Sequence, residues 1–72
     1  MRNVVRVLPN AGHWKVTFNG QFYSNHVLKT TAIEKGKSLA KANIPSQLVI
    51  HKSDGTIETE YTYGDDPFPP RG

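Results

Sequence analysis

The stretch HWKVTFNGQFYSNHV, residues 13–27, limits the fold more than any other part of the chain. Trp14, Val16 and Phe18 alternate with Lys15 and Thr17, and this period of two gives a strand one apolar and one polar side. Asn19-Gly20 follows, a dipeptide strongly preferred in the type I′ turn because both of its central residues need positive φ. The return strand runs over Gln21–Val27. A two-stranded hairpin is barely stable alone in water, so further strands or a helix must cover its apolar side.

The flanking sequence supplies both. Upstream, the β-branched run Asn3–Leu8 reads as a strand, ended by Pro9, which cannot donate to a sheet ladder, and by Gly12. Downstream, in TTAIEKGKSLAKAN, the period changes. Ala32, Ile33, Gly36, Leu39 and Ala40 recur on one helical face, with Glu34, Lys37, Ser38 and Lys41 on the other. Thr31 and Glu34 have capping-box spacing, with Thr30 a competing cap, and Asn43 and Pro45 end the helix. Gly36 costs a helix interior about 1 kcal/mol relative to Ala, and its place on the apolar face implies close helix–sheet approach. Leu48–Ile50 forms a short strand, Ser53-Asp54-Gly55 turns it, and Ile57, Thr59, Tyr61 and Tyr63 alternate along the return.

The expected fold is therefore α+β: a small twisted antiparallel sheet of about five strands, β-β-β-α-β-β, with one helix packed on one face. The expected core is Val5, Val7, Trp14, Val16, Phe18, Ile33, Leu39, Ala40, Leu48, Ile50, Ile57 and Tyr61. Residues 1–63 form one domain, and residues 64–72 form a Pro-rich arm.

The sequence has 72 residues and no cysteine, so no disulfide or thiolate metal site supports this fold. A chain of this size buries only about 60% of its unfolded surface, and its stability is modest. No apolar run reaches the roughly 18 residues of a membrane span, and Arg6 and Pro9 interrupt any signal-like segment. These features predict a soluble, cytoplasmic protein with no membrane partner. Charge is unevenly placed. Residues 1–50 hold seven Lys or Arg against Glu34 alone, a net of +6, whereas residues 51–72 carry a net of −3. That asymmetry points to an anionic partner or to contact between the two parts.

Several segments together resemble one family. WKV, NG, AIEKGKSLAK, LVIHKSDGTI and TYGDDPFPPRG are similar to the shared pattern of the bacterial domain of unknown function 2188. The residues that fit are Trp14, Ala32, Ile33, Leu39, Ala40, His51, Asp54, Gly55, Ile57, Tyr63, Gly64, Asp66, Pro67, Phe68, Pro69 and Pro70. Members often carry an acidic residue just before the Ala-Ile pair, where Thr31 stands here. The resemblance implies a small single domain and brings no catalytic residues.

Candidate chemistry is sparse. His13, His26, His51, Asp54, Asp65 and Asp66 show no metal-ligand spacing, and there is no phosphate loop or nucleophile elbow. Asp65-Asp66 alone supplies too few ligands for calcium. A pocket for a small-molecule substrate is hard to enclose in so short a chain. The expectation is a non-enzymatic binding module with no cofactor and no metal. His51 is read as structural, its ring bonding the following turn, where Asp54 makes an Asx-type bond.

Two partner classes follow. The first is a protein, or a second copy of the chain, engaged through the sheet and the arm. Pro67, Pro69 and Pro70 stiffen the arm, Phe68 is its apolar anchor, and Tyr63 lies beside its docking place. The alternative is nucleic acid on the polar sheet face, contacted by Arg6, Lys15, Thr17, Tyr23 and Asn25, with Glu58 and Glu60 opposing.

Overall fold

Asn19 and Gly20 take φ angles of 51° and 86°, and close strand β2 (His13–Phe18) onto strand β3 (Gln21–His26). Ahead of this hairpin lies β1 (Asn3–Asn10), and after it come α1 (Lys29–Ala42), β4 (Ser46–His51) and β5 (Ile57–Tyr63). The computed structural model describes residues 2–64. The fold is α+β, with a five-stranded sheet in the order β3-β2-β1-β4-β5 and the helix packed against one face.

The sheet is mostly antiparallel, but its central pair, β1 and β4, is parallel. The helix explains this. It carries the chain back along the sheet to the end where β1 begins, and Asn3 ties down the arrival through its N–H to Pro45 O and its Nδ2 to Asn43 O. β4 then starts level with β1, Asn3 opposite Ser46 and Val7 opposite Ile50. The helix end is closed by side chains: Asn43 Nδ2 donates to Leu39 O, and the buried Ser46 Oγ donates to Ala40 O.

The helix start differs from the expected capping box. Helical geometry begins at Lys29, the cap position is Leu28, and no side chain caps it. Thr31 points its hydroxyl backward, donating to Leu28 O at 2.9 Å, so it closes the first turn from inside.

The core is Val5, Val7, Val16, Leu48 and Ile50 from the sheet, met by Ala32 and Ala40 from the helix, with Trp14, Phe18, Ile33, Leu39 and Tyr63 packed around it. A Cβ on Gly36 would lie 3.0 Å from Leu48 Cδ1 and 3.2 Å from Val7 Cγ2, the close approach its position implied. Two expected core residues lie outside. Ile57 is 50% exposed, because a register shift at Ile50/His51 sets it opposite His51 on the face the helix does not cover. Tyr61 is 42% exposed, because it stands on an edge strand beyond the helix, its ring under Lys37. Val49 is buried instead, at the centre of the uncovered face.

Candidate binding surfaces

The helix-covered side ends in an aromatic and cationic flank along β5. Tyr61 and Tyr63 are two residues apart and pair opposite Leu48 and Ser46, so both rings project toward the helix. Lys37 and Lys41, one helical turn apart, place their ammonium groups 5.5 Å and 5.9 Å from those rings. Burial pushes the Tyr63 phenol above the usual 10.0, and neighbouring Tyr61 acts in the same direction. Gly64 follows at φ 73°, and a Cβ there would lie 2.6 Å from the Cβ of Ile44, so this exit from the strand is fitted to a glycine. Ile44 itself is 57% exposed. Of the expected arm contacts, Tyr63 is placed on this flank; Pro67, Phe68 and Pro69, like Asp65-Asp66, lie outside the described residues.

Lys29 and Lys35 repeat the pattern elsewhere, over Trp14 at 4.8 Å and Tyr23 at 5.9 Å. Lys29 sits in the first helical turn, where a cation opposes the helix dipole, and Glu58 neutralises it by an ion pair. Glu58 is thereby drawn to the helix N-terminus.

The other side of the sheet carries Arg6, Lys15, Thr17, Asn25 and Phe22 from β1–β3. The structure brings Arg6, Lys15 and Asn25 together there, as expected from sequence, and separates two of the proposed contacts. Thr17 is only 7% exposed, closed in between Arg6 and Phe22 in the cross-strand register, so it does not present a surface group. Its Oγ1 has no hydrogen-bond partner among the described residues. Replacing Thr17 with the nearly isosteric valine should therefore raise stability by about 1 kcal/mol, read as a higher urea midpoint. Tyr23 is the extra residue of a bulge between Val16↔Ser24 and Thr17↔Phe22. Tyr23 lies on the helix side under Lys35, Phe22 opposite Thr17 is 64% exposed on the open face, and the bulge shifts the next residues so that Asn25 stands opposite Lys15.

Polar side chains continue this face. Asn10 Nδ2 donates to Asn25 Oδ1 at 2.9 Å, and Asn25 Nδ2 lies 3.1 Å from His13 Nδ1. With Asn25 oriented this way its amide donates, His13 Nδ1 accepts, and the neutral imidazole carries its proton on Nε2. Farther across, Gln47 Nε2 donates to Glu60 Oε1 on β5.

The β4–β5 turn is held from two sides. His51, 6% exposed, bonds Gly55 O through Nδ1 at 2.9 Å and meets Arg6 Nη1 through Nε2 at 3.2 Å. Asp54 Oδ1 accepts from Thr56 Oγ1 at 2.7 Å and Thr56 N at 3.0 Å, and the side-chain bond, then the backbone bond, lower its carboxyl below the usual 3.8. A carboxyl lowered by folding stabilises the fold above its unfolded value, and that contribution disappears as pH falls through the folded value. The melting-temperature gap between the wild type and Asp54→Ala should thus be open at neutral pH and close below about pH 4.

Groups for catalysis or metal binding do not assemble among the described residues. Ser24 Oγ and His26 Nε2 are 2.9 Å apart, but no carboxylate orients that ring among the described residues. No cluster of three His, Asp or Glu side chains suited to a metal occurs among the described residues. No helix there is long and apolar enough to cross a membrane.

Residues 5–63 match the family described as an uncharacterized protein conserved in bacteria, the domain of unknown function 2188. The chain belongs to this family. The match spans β1 through β5 and so includes both surfaces, the Lys–Tyr flank and the open face. No curated protein and no solved structure matches the chain.

Proposed function

We propose that this member of the family is a non-enzymatic binding module that docks a protein, a second copy of the chain included, through the β5 flank and the arm. The observation that supports it most is Tyr61. It lies on the helix-covered side of the sheet yet stays 42% exposed, under Lys37 and on β5, which is an edge strand among the described residues. An exposed aromatic ring next to a cation is the composition of an interface anchor. Residues 65–72 follow directly after Gly64 and include Asp65 and Asp66, opposite in sign to Lys37 and Lys41, with Phe68 as an apolar group.

The test is a peptide of residues 65–72 added to protein lacking them. Amide signals of Lys37, Lys41, Tyr61 and Tyr63 should shift on addition, and Tyr61→Ser should weaken the effect. Sedimentation of the full chain should show mass rising with concentration if the arm exchanges between copies. No shift with the peptide, together with a full chain that stays monomeric, would remove this reading.

A further inference from the structure

The three-stranded meander contains no carboxylate. From Arg2 to Ile33 the sequence has neither Asp nor Glu, and those residues supply β1, β2, β3 and the start of the helix. Of the β5 acids, Glu58 is turned away from the open face, and Glu60 stands on its β4–β5 half, opposite Val49. Glu58 is paired with Lys29. Glu60 is bonded to Gln47 on the β4–β5 side. The strand order sets β5 three strand spacings from β2, about 14 Å, which exceeds the roughly 8 Å screening length at physiological salt. The β2–β3 part of this face therefore carries Lys15 with no carboxylate of its own, and Glu60 lies nearer to Arg6 on β1 than to Lys15.

We propose that the open face of β1–β3 binds nucleic acid, with Lys15 and Arg6 on phosphates and Asn10, His13 and Asn25 as polar contacts. This goes beyond the protein-docking reading, since it uses the opposite face of the sheet. The side chains are arranged in a way that suits the task. Lys15 and Asn25 are directly opposite across β2 and β3, so cation and amide stand side by side. Asn25 spends both ends of its amide on Asn10 and His13, which fixes all three. Asn10 Oδ1 and the His13 Nε2–H are left as further polar groups on the rim of this face. Arg6 is oriented by His51, so its guanidinium is held on the open side instead of sampling solvent. Phe22 adds a ring, 64% exposed, for contact with a sugar or base. Two cations and a short polar chain read the backbone more than the base edges, so binding is sequence-tolerant and falls steeply with salt.

The experiment is fluorescence anisotropy at about 50 mM salt with a mixed-sequence duplex DNA, an oligo-deoxythymidine and a duplex RNA as probes, which distinguish the source of the phosphodiester. The wild type should bind at least one probe with a dissociation constant below about 100 μM. Lys15→Gln should weaken that binding about tenfold and reduce the salt slope by about one. Asn25→Asp, which puts a carboxylate into the face, should weaken it as strongly. Lys35→Gln removes the same charge from the helix side and should leave it within about twofold. Thermal melts of each variant confirm that it is folded. Absence of binding to every probe would overturn the proposal. So would equal losses for Lys15→Gln and Lys35→Gln, because those mark a response to net charge alone. Neither result bears on the β5 flank, whose test uses peptide shifts and Tyr61→Ser.

Discussion

Leu48→Ala should lower folding stability by about 3–4 kcal/mol, enough to remove much of the roughly 4–11 kcal/mol that a chain of this length commands. Leu48 is fully buried on the central strand pair, opposite Val5 on β1, and under the one glycine of the helix. A melting temperature lower by about 15–25 °C is the corresponding readout. Gly36 gives the prediction a sharper form. In the wild type its added methyl would crowd Leu48 Cδ1 at 3.0 Å and Val7 at 3.2 Å, and the full burial of both side chains leaves them little room to yield. Gly36→Ala alone should therefore lose to crowding what it gains in helix propensity, about 1 kcal/mol. With Leu48 already shortened, the same methyl enters the space left behind and the propensity gain is retained. The two changes should couple favourably by about 1 kcal/mol in a double-mutant cycle of urea melts. Additive effects would mean that Leu48 does not fill the gap beneath Gly36.

How far the sequence foretells this arrangement depends on which interaction decides each element. Asn19-Gly20 and the alternation around it specify the β2–β3 hairpin locally, and the structure has both positive φ angles there. Gly36 on an apolar helical face was likewise sufficient to foresee the close packing. The Ala11-Gly12 turn was less legible: Ala11 takes φ 51°, a conformation alanine seldom adopts, and Pro9, expected to end the strand, pairs with Trp14 inside β1, so only Gly12 marks the turn. The parallel β1–β4 pair was hidden because it depends on where the helix delivers the chain, a long-range matter settled by Asn3, Asn43 and Pro45. Both bulges were hidden for a related reason. A period-two pattern assumes unbroken register, and one extra residue at Tyr23 shifted Ser24, Asn25 and His26 by one place against β2, while a slip at His51 moved Ile57 to the open face. Lys15 and Asn25 meet only because the bulge lies between this pair and the Asn19-Gly20 turn; unbroken register from the turn would set Ser24 opposite Lys15. Nothing in the sequence signals the Asn10–Asn25–His13 chain, whose members meet only after three strands align.

His51→Ala should cost about 2–3 kcal/mol, more than most single substitutions, because one ring serves two partners from a site only 6% exposed. The carbonyl of Gly55 can only accept, so the His51 proton belongs on Nδ1, and Nε2 is left to accept from Arg6 Nη1. A long-range proton–nitrogen spectrum above neutral pH should show the Nδ1–H tautomer; the Nε2–H tautomer would contradict the assignment. Two further variants divide the effect. Asparagine sets an amide donor near the position of Nδ1, so His51→Asn should keep the turn bond and lose the Arg6 contact. Glutamine reaches farther, toward the position of Nε2, so His51→Gln should keep an acceptor for Arg6 and loosen the turn. If both variants melt no higher than His51→Ala, the ring contributes by packing and not by its two nitrogens. The same pair links stability to surface chemistry. His51 holds the β4–β5 turn with one nitrogen and Arg6 with the other, so the residue that shapes the turn also orients a cation on the open face. His51→Asn should then weaken nucleic-acid binding more than His51→Gln does, even where the two variants are equally stable. That ordering would not arise if His51 acted on the turn alone.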